Sequence, residues 1–431
     1  MESAFTEEHL GHLQSALDDA LDGVPFYSRW KSNDPGPEKP PLERIRSLPT
    51  LTRRELRTGF PRLFLPQGRD LKHAMDKGEV EIVATSGTTD DRVQVLWWQP
   101  WWDQQEEAQY RSGHTLSQAI WEQQFKEAVL TTPVCSGGVC HIGDLKMEER
   151  TFGRMLFLNQ KADPVHWTER DIVRMCDELN HYQPDAFEAD PAYLAALSRY
   201  AVDHKLTLHQ PRYIGLTYEF PSRTHVRAIR KAFGSVTLMN SYGSTEAGCL
   251  HMNCEHGRLH PNLNWTHVDI VPVQPRHGGP RLGRIVASVL QNPWLKLLRY
   301  ETGDLGRLAE GPCPCGRPGE SLERIEGRIK DVTFKVDGTL CTVEDVDRTL
   351  GDLNDLVAYQ VVQETSQRYL VHYLPEPGTD ESLQSALLER LSALYGGGEI
   401  NLQRESALTP EPSGKYRLTK CEFPFDTQSV F

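Results

Sequence analysis

The sequence predicts an α/β protein, with a large domain over residues 1–326 and a small α+β domain over residues 327–431. Three observations carry this. Short β-branched runs at 80–84 and 236–240 each empty into a loop rich in glycine and hydroxyls, at 85–89 and 241–246. In open α/β sheets the carboxyl ends of strands are where ligands sit, so two such loops are expected to converge. Between them an apolar run at 128–132 is followed by helical periods at 168–179 and 191–204. After about residue 327 the segments shorten and follow the order βαββα with a polar tail, which suits a separate unit of about 100 residues.

The elements follow in chain order. Apolar side chains at Leu10, Leu13, Ala16, Leu17 and Leu21 keep a 3.6-residue period, so residues 7–21 read as an amphipathic helix, ended by Gly23 and Pro25. The Pro-rich stretch 33–42 cannot be a helix interior. Thr52 precedes a short helical pattern with Glu55 three residues on, the spacing of a capping box. In the carboxyl-terminal part the expected order is a strand at 331–336, a turn at Asp337 and Gly338, and a helix from Val343. Strands at 356–362 and 368–374 and a helix over 380–394 follow.

Charge and composition exclude whole classes. The 431 residues hold 47 basic and 60 acidic side chains, so the formal charge is 47 − 60 = −13. Phosphate-backbone affinity needs clustered Lys and Arg, so this balance predicts no nucleic-acid partner. No stretch approaches the ~20 apolar residues of a membrane span, and none is expected. The acidic start MESAFTEEHL has no apolar run behind a basic region, which predicts no signal peptide and a cytoplasmic protein. Nine cysteines, an odd number, argue against a disulfide scaffold and leave metal binding or buried thiols.

Several short motifs carry chemistry. Thr85, Ser86, Gly87, Thr88 and Thr89 offer hydroxyl and backbone N–H donors that can cradle phosphates, although the same residues also suit an ordinary polar turn. The loop Ser241, Tyr242, Gly243, Ser244, Thr245, Glu246 joins an aromatic face for a base to a carboxylate for a nucleotide-bound magnesium. Tyr300-Glu301-Thr302-Gly303-Asp304 adds a carboxylate fit to accept bonds from a ribose diol, and Gly327-Arg328-Ile329-Lys330-Asp331 follows. Pro412-Ser413-Gly414-Lys415 places an ammonium beside a flexible glycine, able to swing toward a phosphate. No GxxxxGK[ST] occurs, so a P-loop is not supported.

In this order TSGTT, YGSTE, YETGD, GRIKD and PSGK resemble the conserved blocks of the adenylate-forming superfamily of acyl-CoA synthetases, adenylation domains and luciferases. The segments LQSALDDALDGVPFYSRW and LPTLTRRELR, with Cys313-Pro314-Cys315-Gly316-Arg317, are similar to its phenylacetate-CoA ligase branch. The resemblance covers nearly the whole chain. It implies a large multi-sheet amino-terminal domain, a mobile carboxyl-terminal domain and a two-step ligase. A carboxylate attacks the α-phosphate of ATP, and a thiol then displaces AMP from the acyl-adenylate. CoA is the implied thiol, with an acyl carrier protein as the alternative acceptor.

By motif, the resemblance assigns phosphate contacts to Thr85, Ser86, Gly87, Thr88 and Thr89. Tyr242, Gly243 and Ser244 flank the adenine, and Thr245 and Glu246 serve phosphate and Mg²⁺. Asp304 holds the ribose hydroxyls, Arg328 supports the nucleotide, and Lys415 bridges the carboxylate and the α-phosphate. Lys330 stands at the hinge position. The chain departs from the pattern at Asp90, where a glycine is usual, at Arg92, where a proline is common, and at Glu301, where a basic residue is usual.

Cys254, His260, Cys313 and Cys315 form a Cys₃His set suited to a closed, structural Zn²⁺ site, with His256 as the rival imidazole. Loop thiols without metal are the other reading from spacing alone. The resemblance supports zinc, because related aryl-CoA ligases carry a similar set. Tyr218, Phe220, Ser241 and Gly243 are the expected acyl-pocket residues. A small aromatic acid of the phenylacetate, benzoate or aminobenzoate type is the expected substrate, because rings favour a flat ligand. The tryptophans at 97, 98, 101 and 102 are weighed more heavily as core or dimer face than as pocket. The chain is expected as a monomer or homodimer.

Overall fold

The structure is a computed structural model, describing residues 4–85, 92–132, 143–161, 164–411, 414–425 and 430. The chain packs as two compact units. The first comprises Met1–Gln123, Asn240–Val271 and Arg284–Arg324, and the second Gln124–Met239, Pro272–Gly283 and Ile325–Phe431.

The first unit opens on the expected amphipathic helix, Glu7–Gly23, capped by the Thr6 side chain and burying Leu13, Ala16, Leu17, Ala20 and Leu21. Pro41 sits at the first turn of the next helix, Pro41–Ser47, where a missing N–H costs nothing. Thr52 and Glu55 close a complete capping box on the helix Arg53–Gly59. The expected strand at 80–84 is Glu81–Ala84, but among the described residues it pairs only with Gln94–Trp97, in an antiparallel hairpin. Its mostly exposed face explains why it stands outside the large sheet.

Antiparallel strands form the main sheet of this unit. Thr237–Ser244 pairs with Gly248–Asn253, which pairs with Leu259–Pro261, which meets Leu322–Arg328. The loop expected from Ser241 is therefore strand as far as Ser244. Ladder bonds to Gly248–Asn253 hold it extended, with a register shift between Tyr242 and Gly243. Gly243 is obligatory there, since a Cβ would fall 2.4 Å from the Gly248 carbonyl oxygen.

In the second unit, Tyr213–Leu216, Ala186–Ala189, Glu127–Leu130 and Met155–Phe157 lie side by side as parallel strands. All four residues are buried in each of Glu127–Leu130 and Tyr213–Leu216, as expected for parallel strands covered on both faces. The helices Glu169–Tyr182 and Pro191–Asp203, expected at 168–179 and 191–204, contribute Met175, Leu179, Leu194 and Leu197 to its core.

Residues 325–431 keep a sheet and core of their own within this unit. Leu356–Thr365 and Arg368–Pro375 pair antiparallel, flanked in parallel by Thr419–Cys421 and Glu399–Arg404. The helices Val343–Leu350 and Ser382–Tyr395 supply Val346, Leu350, Leu387 and Leu391 to the core. The last two strands lie in what the sequence reads as a polar tail. The strand Glu399–Arg404 shows no fully buried residue, so hydrophobic patterning gives no sign of it. Among the described residues no helix is long and apolar enough to cross a membrane.

Candidate functional site

In the first unit the residues expected around a nucleoside are already linked. The Tyr242 hydroxyl donates to Asp304 Oδ2 at 2.8 Å and lies 3.1 Å from Thr302 Oγ1. Thr302 is fixed in turn, donating to the Ile285 carbonyl at 3.1 Å and accepting from the Asp304 N–H at 3.2 Å. The strand carrying Tyr242 and the strand Tyr300–Leu308 thus set one aromatic ring and one carboxylate in a fixed relation.

Glu246 is 4% exposed and accepts from the Tyr300 hydroxyl at 2.8 Å and from Arg53 Nη2 at 3.0 Å. Both bonds fall on Oε1, and Oε2 has no partner among the described residues. Burial and the neighbouring Glu246 carboxylate push the Tyr300 phenol well above its ordinary value, so it stays a donor. Arg53 and Tyr300 are neighbours of Glu246 that spacing did not reveal. They lie in quoted segments, but only the fold brings them to Glu246. Glu301 pairs with Arg284 at 2.6 Å and accepts from Thr50 at 2.7 Å, while Arg299 is committed to buried Asp269 at 3.0 Å.

Lys415 lies in the second unit. Its Nζ donates to the Tyr218 carbonyl at 2.9 Å, and the next N–H, of Tyr416, donates to Glu219 Oε1 at 2.9 Å. The Tyr193 hydroxyl donates to the Gly414 carbonyl at 3.3 Å, which fixes the loop from the other side. Tyr218 has φ +72°, a conformation non-glycine residues rarely adopt, and it occurs where the backbone presents its carbonyl to the lysine.

Asp190, 1% exposed, caps the helix Pro191–Asp203 by accepting from the Ala192 and Tyr193 N–H groups. Burial pushes its carboxyl up to about 6, against the pull of those N–H groups and of Lys415. Burial and the Asp190 charge also hold Glu219 well above the usual carboxylate range, opposed by Lys415 and Arg328. Asp190 and Glu219 were not foreseen, since nothing in Asp-Pro or Tyr-Glu-Phe signals a lysine far along the chain. Arg328 is exposed, and the Lys330 carbonyl accepts from Arg417 Nη2 at 3.0 Å. Arg417 also pairs with Asp331.

Phe220 packs against the core of residues 325–431. Ser241 Oγ lies 3.5 Å from Gln109 Oε1, and Ser244 Oγ accepts from the Ala247 N–H at 3.1 Å. Thr245 is half-buried. Thr85 is buried and binds Val93 in both directions, its N–H to the carbonyl and its hydroxyl from the N–H. Ser86, Gly87, Thr88, Thr89 and Asp90 lie outside the described residues, as do Cys135, Cys140, Pro412 and Ser413. Trp101 is buried in the first unit's core, and Trp98 and Trp102 pack against it, in keeping with the core reading.

The four expected metal ligands converge. The hairpin joining Gly248–Asn253 to Leu259–Pro261 carries Cys254 at its turn, with Gly257 at φ +78°, and His260 on its second strand. The loop between Tyr300–Leu308 and Leu322–Arg328 carries Cys313 and Cys315. Leu259 pairs with Leu322, which joins the two hairpins. The ligand atoms of Cys254, His260, Cys313 and Cys315 all lie within 4.8 Å of one another. Cys254 Sγ is 3.7 Å from Cys313 Sγ, and Cys315 Sγ is 3.3 Å from His260 Nε2. Tetrahedral zinc with bonds of about 2.3 Å to sulfur and 2.0 Å to nitrogen sets these edges at about 3.8 and 3.5 Å. His256 takes no part through its ring; its backbone N–H meets Cys254 Sγ at 3.4 Å.

No protein-family model matches this sequence. No curated protein sequence matches it either. Solved structures do match. 2-Hydroxyisobutyryl-CoA ligase in the postadenylation state, in complex with 2-HIB-AMP, is 16% identical with a TM-score of 0.71, over 96% of this chain and 89% of that one. The same ligase with 2-HIB-AMP and CoA in the thioesterification state gives 0.55 at 17% identity, over the same shares. Anthranilate CoA ligase AuaEII in complex with anthranoyl-AMP gives 0.54 at 14% identity, over 78% of this chain and 65% of that one. The chain therefore has the α/β fold of the adenylate-forming acyl-CoA ligases over nearly its whole length.

Proposed function

We propose that this protein is an ATP-dependent acid–thiol ligase that activates a small aromatic carboxylate as its acyl-adenylate and passes the acyl group to CoA. The observation that carries the reading is Lys415, held by the Tyr218 carbonyl beside Asp190 and Glu219. In the first step a carboxylate oxygen bonds to the α-phosphorus of ATP and the bond to the leaving pyrophosphate breaks. Negative charge gathers on the phosphate oxygens, where a fixed ammonium lowers the barrier most. The Tyr218 carbonyl orients that ammonium. In the second step the CoA sulfur bonds to the acyl carbon and AMP leaves.

Tyr242 and Asp304, already bonded, take the adenine and the ribose diol. Tyr242, Gly243 and Ser244 belong to one strand segment, so the adenine contact is a rigid edge. Thr85, Ser86, Gly87, Thr88 and Thr89 take phosphates, helped by Thr245 and Arg328. Glu246 would hold the magnesium of Mg·ATP through Oε2, since Oε1 is occupied by Tyr300 and Arg53. A bound magnesium neutralises phosphate charge. Tyr218, Ser241 and Gly243 border the acyl group, with Phe220 behind Tyr218.

Residues 327–431 move as a unit about Lys330 between the two steps and so withdraw Lys415. The Cys₃His set holds a structural zinc that pins the two hairpins together. The likeness to an anthranilate CoA ligase supports the aromatic substrate class.

The test is carboxylate-dependent pyrophosphate–ATP exchange over a panel of aromatic and aliphatic acids, followed by thioester formation with CoA or with an acyl carrier protein. Exchange with small aromatic acids and transfer to CoA are expected. No exchange with any acid overturns the reading.

A further inference from the structure

Apart from Lys415, the second unit contains a cavity of about 190 Å³. Ala192, Ala196 and Arg199, at helical spacing on one face of Pro191–Asp203, form one wall. His225 enters from the helix Arg223–Phe233. Gln360 and Leu374 close the cavity from the sheet of residues 325–431.

Two features of this cavity lack an explanation in the folded chain. Arg199 makes no hydrogen bond or ion pair among the described residues. Burial pulls its pKa down, and Glu376, the first of the carboxylates opposing that pull, is itself paired with Lys231 at 3.5 Å. His225 is 7% exposed, and its Nδ1 is buried without a partner. Burial and Arg199 lower its pKa to about 3, so the ring is neutral at neutral pH and offers one N–H. Buried polar groups left without partners are costly, and a ligand that satisfies them recovers that cost.

The chemistry of the wall selects the ligand. No Asp or Glu lines the cavity. Arg417 also lines the cavity but is paired with Asp331 and Glu411, so Arg199 and one neutral imidazole remain, and they match a single negative charge better than a phosphate dianion, the planar guanidinium suiting a carboxylate. The alanines and Leu374 suit an apolar body, and an apolar cavity of about 150 Å³ holds a benzene. We infer that this cavity is a second, non-catalytic site for a small apolar monocarboxylate, whose carboxylate is held by Arg199 and His225. Its walls come from both 191–225 and 358–418, so an occupant favours the packing of these segments on each other. The inference stands on this cavity alone and does not need the ligase reading.

The experiment is equilibrium dialysis of the full chain, without ATP, against labelled benzoate and butyrate, with inorganic phosphate as competitor. Parent protein is expected to bind one more carboxylate per chain than Arg199→Met. Ala196→Phe, which fills the cavity but keeps Arg199, is expected to lose the same site. Both variants keep the parent's circular dichroism and exchange activity, and should one fail to fold the other still decides. Equal stoichiometry in parent and the folded variants overturns the inference, as does displacement by phosphate at equal concentration. Loss of exchange activity in every form, including the parent, would instead count against the ligase reading and leave this comparison intact.

Discussion

The Lys415 ammonium donates to the Tyr218 carbonyl at 2.9 Å, and that carbonyl belongs to a residue held at φ +72°. The next peptide donates to Glu219, so two consecutive residues of the late loop grip two consecutive residues of the earlier one. Backbone strain of this kind is retained where the surroundings over-determine it. Here Lys415 and the half-buried Glu219 side chain do so.

Lys415→Ala is expected to lower pyrophosphate exchange by about 10²–10³-fold, the loss typical when one fixed electrostatic donor is removed. Thioester formation from supplied acyl-adenylate is expected to stay within about threefold of parent, an effect below ~1 kcal/mol. Single-turnover assays of the two steps measure this. Equal loss in both would remove Lys415 from its assigned step.

Asp190 gives a pH signature with a definite sign. Its carboxyl is raised to about 6 by burial, so the native state holds a proton that the unfolded chain has released between about pH 4 and 6. Stability contributed by that proton is present below this window and is lost as pH rises through it. Asp190→Asn keeps the helix cap and removes the ionisation. Its melting temperature is expected to rise relative to parent from pH 4 to pH 6, by the equivalent of about 2–3 kcal/mol. Asp190→Asn also removes a charge that raises Glu219, so the difference curve reports the pair and not Asp190 alone. Parallel curves would contradict the burial argument.

The proposed nucleoside site is tested at the Tyr242 hydroxyl bond to Asp304. Tyr242→Phe keeps the ring and loses the bond, at about 1 kcal/mol. The KM for ATP is expected to rise about fivefold, with kcat nearly unchanged. Asp304→Ala, which removes the carboxylate, is expected to cost more. A Tyr242→Phe effect confined to kcat would show that the hydroxyl acts elsewhere.

Elemental analysis tests the metal centre. Parent and His256→Ala are expected to carry about one zinc per chain, and Cys313→Ser and His260→Ala far less, because a closed site uses four ligands. Chelation of the parent is expected to lower its melting temperature toward that of Cys313→Ser. No zinc in the parent would reject the site.

Much of this was legible in the sequence, for local reasons. The capping box at Thr52 and the period of residues 7–21 fix helices within a few residues of chain. The Cys and His positions, together with the family resemblance, named Cys254, His260, Cys313 and Cys315, whose side-chain atoms converge. Chain order also named Lys415, Tyr242, Asp304 and Glu246 before any geometry. What the sequence could not give were relations between distant segments. The strand Thr237–Ser244 runs on through Tyr242 because Gly248–Asn253 bonds to it, and polar residues carry no hydrophobic mark of such pairing. Arg53 reaches Glu246, Asp190 and Glu219 surround Lys415, and Arg199 meets His225 only because packing brings separate elements together. Local propensity and residue type fix the parts, whereas buried charge and its partners depend on which surfaces lose water together, and tertiary structure alone decides that.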